Sequence, residues 1–153
     1  LPADVQPERR DSLRRLADQM EAAFLSEMLG YAGLDAPATG FGGGMGGRGE
    51  MCGAVTGGIL ALGWKWGRGG PEEKSVAQQA YRKTGELMAA FERAHGSCMC
   101  RTLLGGIDLR TPEGMQQFKQ QDLHRKVCVG CVRTVGDWLD TALVGLPGNL
   151  DHG

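Results

Sequence analysis

The chain has 153 residues, a net charge of −1 and 41% hydrophobic content, enough to bury about two-thirds of the surface it exposes when unfolded. So balanced a charge gives no electrostatic case for nucleic acid or acidic lipid, and no apolar run approaches the ~20 residues of a membrane span. Two departures from ordinary composition remain: 26 glycines, about 17% against a usual ~7%, and five cysteines, an odd number that cannot pair completely within one chain.

From Pro7 to about Tyr31, Leu13, Leu16, Met20, Phe24 and Met28 recur in steps of three and four and predict a first helix. "GLDAPATG" ends it, and the glycine-rich "FGGGMGGRGEMCG" follows as a loop. "MCGAVTGGILALGWKWG" reads as a second helix starting near Cys52. It is apolar nearly all round, which places it centrally, with Gly53, Ala54, Gly57, Gly58 and Ala61 letting neighbouring backbones come close.

"GRGGPEEK" links to a third helix that runs to about His95, its inner face expected at Val76, Ala77, Ala80, Tyr81, Leu87, Met88 and Phe91. A short turn then carries Cys98 and Cys100, and "TPEGMQQFKQQD" begins with a good cap and first turn. The last helix is expected from about Val127 to Leu143, with Cys128, Cys131, Val132, Val135, Trp138, Leu139 and Ala142 on one face. No period-two strand pattern survives. The expected fold is all-α, a compact helical bundle with a glycine-rich loop before its central helix, built as one domain over 1–153.

The cysteines fall into three groups: Cys52, Cys98-Met-Cys100, and Cys128-Val-Gly-Cys131. Each sits near an expected helix start, where free amides and the helix dipole favour thiolate, the form that binds metal or attacks a disulfide. Gly49 and Gly53, flanking Cys52, are the expected amide donors to sulfur. Four soft ligands drawn from these groups suit an iron–sulfur cluster or zinc, and the glycine-rich surroundings favour iron. Taken singly, each cysteine serves equally well as a small core hydrophobe; five inert cysteines beside such a loop are the lesser expectation.

Other sites carry weaker signals. "CVGCV" lacks the histidine of a c-type haem site, and "GGGMGGRG" has neither a preceding strand nor a following G-K-[ST], so Rossmann and P-loop readings fail and Arg48 is left as an anion contact. His124 reads as a solvated side chain before a ligand, His95 as a helix end, His152 as a loose terminus, and Met51 and Met99 as packing before thioether ligands.

"GFGGGMGGRGEMCGAVTGGILALGWKWG", "GSCMCRTLLGGIDLRTPEG" and a cysteine opening the last helix resemble the redox-active family known by the pattern C_GCAxxG_C_C, over most of the chain from Gly40 to Leu143. The resemblance implies a helical fold, redox or electron-transfer activity, and family cysteines at Cys52, Cys100 and Cys128. A related domain in split-Soret cytochromes carries a cysteine-bound iron centre. The family's further cysteine in the first helix is missing from "DQMEAAFLSEML", and Cys98 or Cys131 is expected to replace it.

The expectation is therefore a small electron carrier, rather than a substrate-converting enzyme. It would bind a [2Fe–2S] or [4Fe–4S] cluster through Cys52, Cys100, Cys128 and one of Cys98 or Cys131, and serve a redox partner protein. Its rivals are a thiol–disulfide carrier using Cys128 and Cys131, a zinc-stabilised interaction module, and a site that senses or carries metal ions. The glycine-rich second helix adds the expectation of a homodimer. No signal peptide is visible; the expected compartment is cytoplasmic or, with a leader removed, periplasmic.

Overall fold

The computed structural model describes residues 38–68 and 74–143. The helix expected over 7–31, the proline-led start near Pro71, and His152 lie outside those residues. A single 3-10 turn at Thr39–Phe41 leads into α1 (Gly53–Trp66), α2 (Lys74–His95), α3 (Cys100–Leu103), α4 (Pro112–Gln120), a π turn at His124–Cys128, and α5 (Val129–Leu143). Among the described residues there is no strand, only one antiparallel bridge between Met51 and Met99, so the fold is all-α. No described helix is long and apolar enough to cross a membrane.

The helix boundaries follow local chemistry. Thr111 caps α4 by accepting the Gly114 N–H at 2.9 Å, and Pro112 takes the first helical position, where its missing N–H costs nothing. α2 ends at His95, with Gly96 at φ +85 turning the chain away. The last α-helix begins at Val129, close to the expected Val127, and a π turn that the sequence did not announce precedes it. The π turn carries the chain from His124, and the Val129 N–H closes it on the His124 carbonyl, five residues back.

α1 packs against both α2 and α5, as its all-round apolar surface predicts. Val55 and Leu62 of α1, Leu87 and Phe91 of α2, and Val132, Val135 and Leu139 of α5 form the buried centre, each contributing roughly 1.5–3 kcal/mol by leaving water. Tyr81 does not join them. It is 78% exposed, a correction to the inner face expected for α2. On the same helix Lys83 reaches over the Trp66 ring, 5.9 Å from its centre.

Gly58 of α1 lies against both neighbouring helices: a Cβ there would stand 2.7 Å from Val135 Cγ1 and 2.8 Å from Leu87 Cδ2. Both neighbours are fully buried and cannot swing aside. Gly58→Ala gains up to ~1 kcal/mol of helix propensity but overpacks by about 1–3 kcal/mol, so a net destabilisation is expected. Gly63→Ala meets nothing within 4 Å and should gain up to ~1 kcal/mol. Urea denaturation of the pair checks both signs.

Candidate functional site

The site is assembled by two short extended segments that pair side by side. The Cys52 N–H donates to the Cys98 carbonyl at 2.8 Å, the Cys100 N–H to the Glu50 carbonyl at 2.7 Å, and the Arg101 N–H to the Gly49 carbonyl at 3.0 Å. With Met51 opposite Met99, alternation sends the cysteine side chains off the other face. Met99 is accordingly 38% exposed, whereas Cys52, Cys98 and Cys100 are 5%, 3% and 4% exposed. α1 starts just after Cys52 and α3 starts at Cys100. Cys128 closes the π turn and Cys131 lies in the first turn of α5.

The glycine loop packs as a solid plug against this pairing. The amides of Met45, Gly46, Gly47, Gly49 and Glu50 donate to the carbonyls of Phe41, Gly40, Gly42, Gly43 and Gly44. They are thereby spent within the loop. Gly49 therefore offers no amide to sulfur, and Gly53 is the first residue of α1, close against the Phe41 carbonyl. Ala54 and Val55, which sequence reasoning missed, present the amides that favour a thiolate on Cys52, although neither closes a full capping bond. Their signal was the cysteine at the position before a helix, where side chains face the second and third amides.

All five cysteines are free and buried. Cys52, Cys98 and Cys131 belong to the core between α1, α2 and α5; Cys100 and Cys128 share a second apolar cluster with Leu104. Val127 packs against both, so the thiols straddle one boundary. The neighbouring Cys131 thiol, and after it the amides of Ala54 and Val55, hold the Cys52 pKa down at about 7 against the opposing effect of burial. The Cys52 sulfur beside it, then burial and the charges of Cys52, Cys128 and Cys100, keep Cys131 protonated far above the ordinary thiol range. Burial raises Cys100 to about 11, helped by Cys52 and opposed by Arg101. Burial also raises Cys128 to about 12, helped by Cys100 and Cys52.

Cys98 stands apart. Its Sγ donates to the Met88 carbonyl at 3.8 Å, and burial and then Glu92 raise it to about 11; of the other thiols only Cys52 acts on it. Cys52 acts on all four other thiols, Cys100 acts further on Cys128 and Cys131, and the Cys98 thiol is turned to the Met88 carbonyl of α2. Among the described residues, no three His, Cys, Asp or Glu side chains stand together as ligands of a metal ion.

A family model for "Putative redox-active protein (C_GCAxxG_C_C)" matches residues 17–142. The chain belongs to that family. Membership in C_GCAxxG_C_C gives the buried thiols a redox context and agrees with the resemblance read from the glycine–cysteine segments. A search of curated proteins and of solved structures finds no match.

The remaining residues of interest in this C_GCAxxG_C_C chain are placed as follows. Arg48, expected as an anion contact, serves through its carbonyl, which accepts from Arg101 Nη2 at 3.2 Å. Arg101 also pairs with Asp108 at 3.4 Å, while its Nε is buried without a hydrogen-bond partner. Sequence reasoning passed over Arg101, although a cation directly after the C-x-C pair was visible. His95 ends α2 as expected: its Nε2 meets Thr134 Oγ1 at 2.8 Å and its ring lies by Phe91. His124 is half-buried at the start of the π turn.

Proposed function

We propose that this protein is a one-electron carrier whose Cys52, Cys100, Cys128 and Cys131 thiolates hold an iron–sulfur cluster, [2Fe–2S] or [4Fe–4S], and which passes electrons to a partner protein. The observation that carries the reading is the burial of free cysteines from three distant segments in two apolar clusters that share Val127, with the Cys98 thiol turned to the Met88 carbonyl. The donors suit the group in softness and burial; among the described residues no three of them stand together as ligands in the metal-free chain, so loading would have to draw the sulfurs together. The orphaned Arg101 Nε beside Cys100 adds a donor and a positive charge suited to an anionic centre. Once bound, such a cluster supplies reversible one-electron chemistry that thiols alone lack.

The chain's part is to release protons and exclude water. Cys131, Cys100 and Cys128 must give up their protons, so loading is proton-coupled. Iron retention should fall as pH falls, the direction set by protonation of the four sulfurs. A dithiol working between Cys128 and Cys131 has less support, because Cys131 is held protonated.

The deciding experiment is iron and sulfide analysis with visible absorbance on protein purified and reconstituted without oxygen. Iron with matching sulfide, lost from Cys52→Ser, Cys100→Ser, Cys128→Ser and Cys131→Ser but kept by Cys98→Ser, is the expected pattern. Colourless protein carrying no iron would end this reading, and stoichiometric zinc in its place would favour a structural metal module.

A further inference from the structure

We propose that Arg101 sets the redox potential of the site, its Nε–H being reserved for an anionic sulfur there and its charge being shared with Asp108. The proposal rests on the cluster reading above and says which side chains govern how readily the centre takes an electron. Its ground is a buried donor with nothing to bond. Arg101 Nε is out of reach of water and has no hydrogen-bond partner. The outer end of the same guanidinium is engaged: Nη2 donates to the Arg48 carbonyl at 3.2 Å and pairs with Asp108 Oδ2 at 3.4 Å. A buried donor left unpaired costs about 1–3 kcal/mol, and an ion or ligand that meets it is one of the few reasons for a fold to keep it.

The surroundings fix Arg101 in this position. Its backbone N–H donates to the Gly49 carbonyl at 3.0 Å, and its carbonyl accepts from the Gly106 N–H at 2.8 Å. The side-chain stem lies on Gly49, where a Cβ would stand 3.0 Å from Arg101 Cβ and 3.1 Å from Nε. Asp108 is held in turn, accepting from Arg110 Nε at 2.9 Å and Arg110 Nη2 at 2.8 Å. Cys100 directly precedes Arg101, and its own N–H is bonded to the Glu50 carbonyl at 2.7 Å. One fixed turn therefore carries both the sulfur and the cation.

Electrostatics supplies the signs. An electron added to the centre is stabilised by a nearby positive charge and by hydrogen bonds to its sulfurs, and both raise the potential. The Asp108 carboxylate offsets part of the Arg101 charge and so lowers it. Loss of the cation and loss of the anion should then move the potential in opposite directions. A clamp without an electrostatic role would move it in one direction only, because either loss breaks the same ion pair and loosens the same turn.

The test is a spectroelectrochemical titration of the full chain reconstituted with iron and sulfide without oxygen. Arg101→Gln should shift the midpoint potential to more negative values, Arg101→Lys should shift it less, and Asp108→Asn should shift it to more positive values. Circular dichroism and iron content check that each variant is folded and loaded. Shifts of one sign from Arg101→Gln and Asp108→Asn, or potentials equal to the parent's in all three, overturn the proposal and leave the cluster reading in place. A parent chain that takes up no iron ends both. In the metal-free parent chain, heteronuclear NMR should find the Arg101 Nε–H slow to exchange with solvent. Exchange as fast as that of the exposed Arg68 and Arg82 would overturn the proposal without any metal present.

Discussion

Replacing Gly44 with alanine is expected to lower stability by roughly 2–4 kcal/mol and to push Cys100 out of place. Gly44 sits at φ +70, and a Cβ there would lie 2.6 Å from the Cys100 Cβ, 2.7 Å from the Glu50 amide nitrogen and 2.9 Å from the Glu50 carbonyl oxygen. Two of those atoms are backbone, held by the Cys100–Glu50 bond, so nothing flexible can yield. The control is Gly46→Ala, at φ +61 but with nothing within 4 Å; it should lose only the roughly 1–2 kcal/mol of left-handed strain. Equal urea midpoints for the two variants would show that the loop does not press on the Cys100 turn. Close contact accounts for Gly43, Gly44 and Gly49, and positive φ for Gly46 and Gly47, where a side chain would have room.

Alkali should unfold the reduced, metal-free chain well before it ionises its buried thiols. Between pH 7 and 9, Cys52 is ionised in the folded chain and protonated in the unfolded one, so the unfolded state holds more protons and stability rises with pH. Toward 9 the sign reverses. An unfolded chain sheds protons that Cys98, Cys100, Cys128 and Cys131 retain when folded, and stability falls. Cys100 alone, moved from 9.0 to about 11, costs roughly 2.7 kcal/mol by the upper end of that window. Unfolding free energies at pH 7, 8.5 and 10.5 should therefore pass through a maximum a little below 9, because four raised thiols outweigh one lowered thiol. Cys128→Val should flatten the alkaline arm, because valine fills the site without a proton to lose. A profile that is level above pH 9, or unchanged by Cys128→Val, would show that the thiols are not held protonated by burial.

Local signals served well where local chemistry decides. The all-round apolar run after Cys52 became the central helix, and Thr111-Pro112 became a cap and first turn. They failed where a partner decides. Tyr81 shares a stripe with Ala77 and Ala80, yet it is exposed, because periodicity cannot tell how far neighbouring helices extend over a face. The π turn was hidden for a related reason: a wider turn leaves no mark in a pattern of three and four, though it sets the phase at which Cys128 and Cys131 leave the backbone.

The glycine count announced a loop of unusual backbone, but amide direction depends on the sign of φ at each residue, and the amides turned inward. The choice between Cys98 and Cys131 was equally open in sequence. Cys98 and Cys100 are two residues apart, and only the turn into α3 separates their surroundings, leaving one thiol on the Met88 carbonyl and the other beside Cys128.

By itself the sequence determined the helical class, the family, and the presence of more soft sulfur than a core of this size requires, since these follow from composition and short-range spacing. The tertiary structure decided which cysteines share an apolar cluster and which thiol turns to a backbone carbonyl of α2. Those outcomes depend on contacts across α1, α3 and α5, where a hydrogen bond and the loss of water act over a few ångströms between residues far apart along the chain.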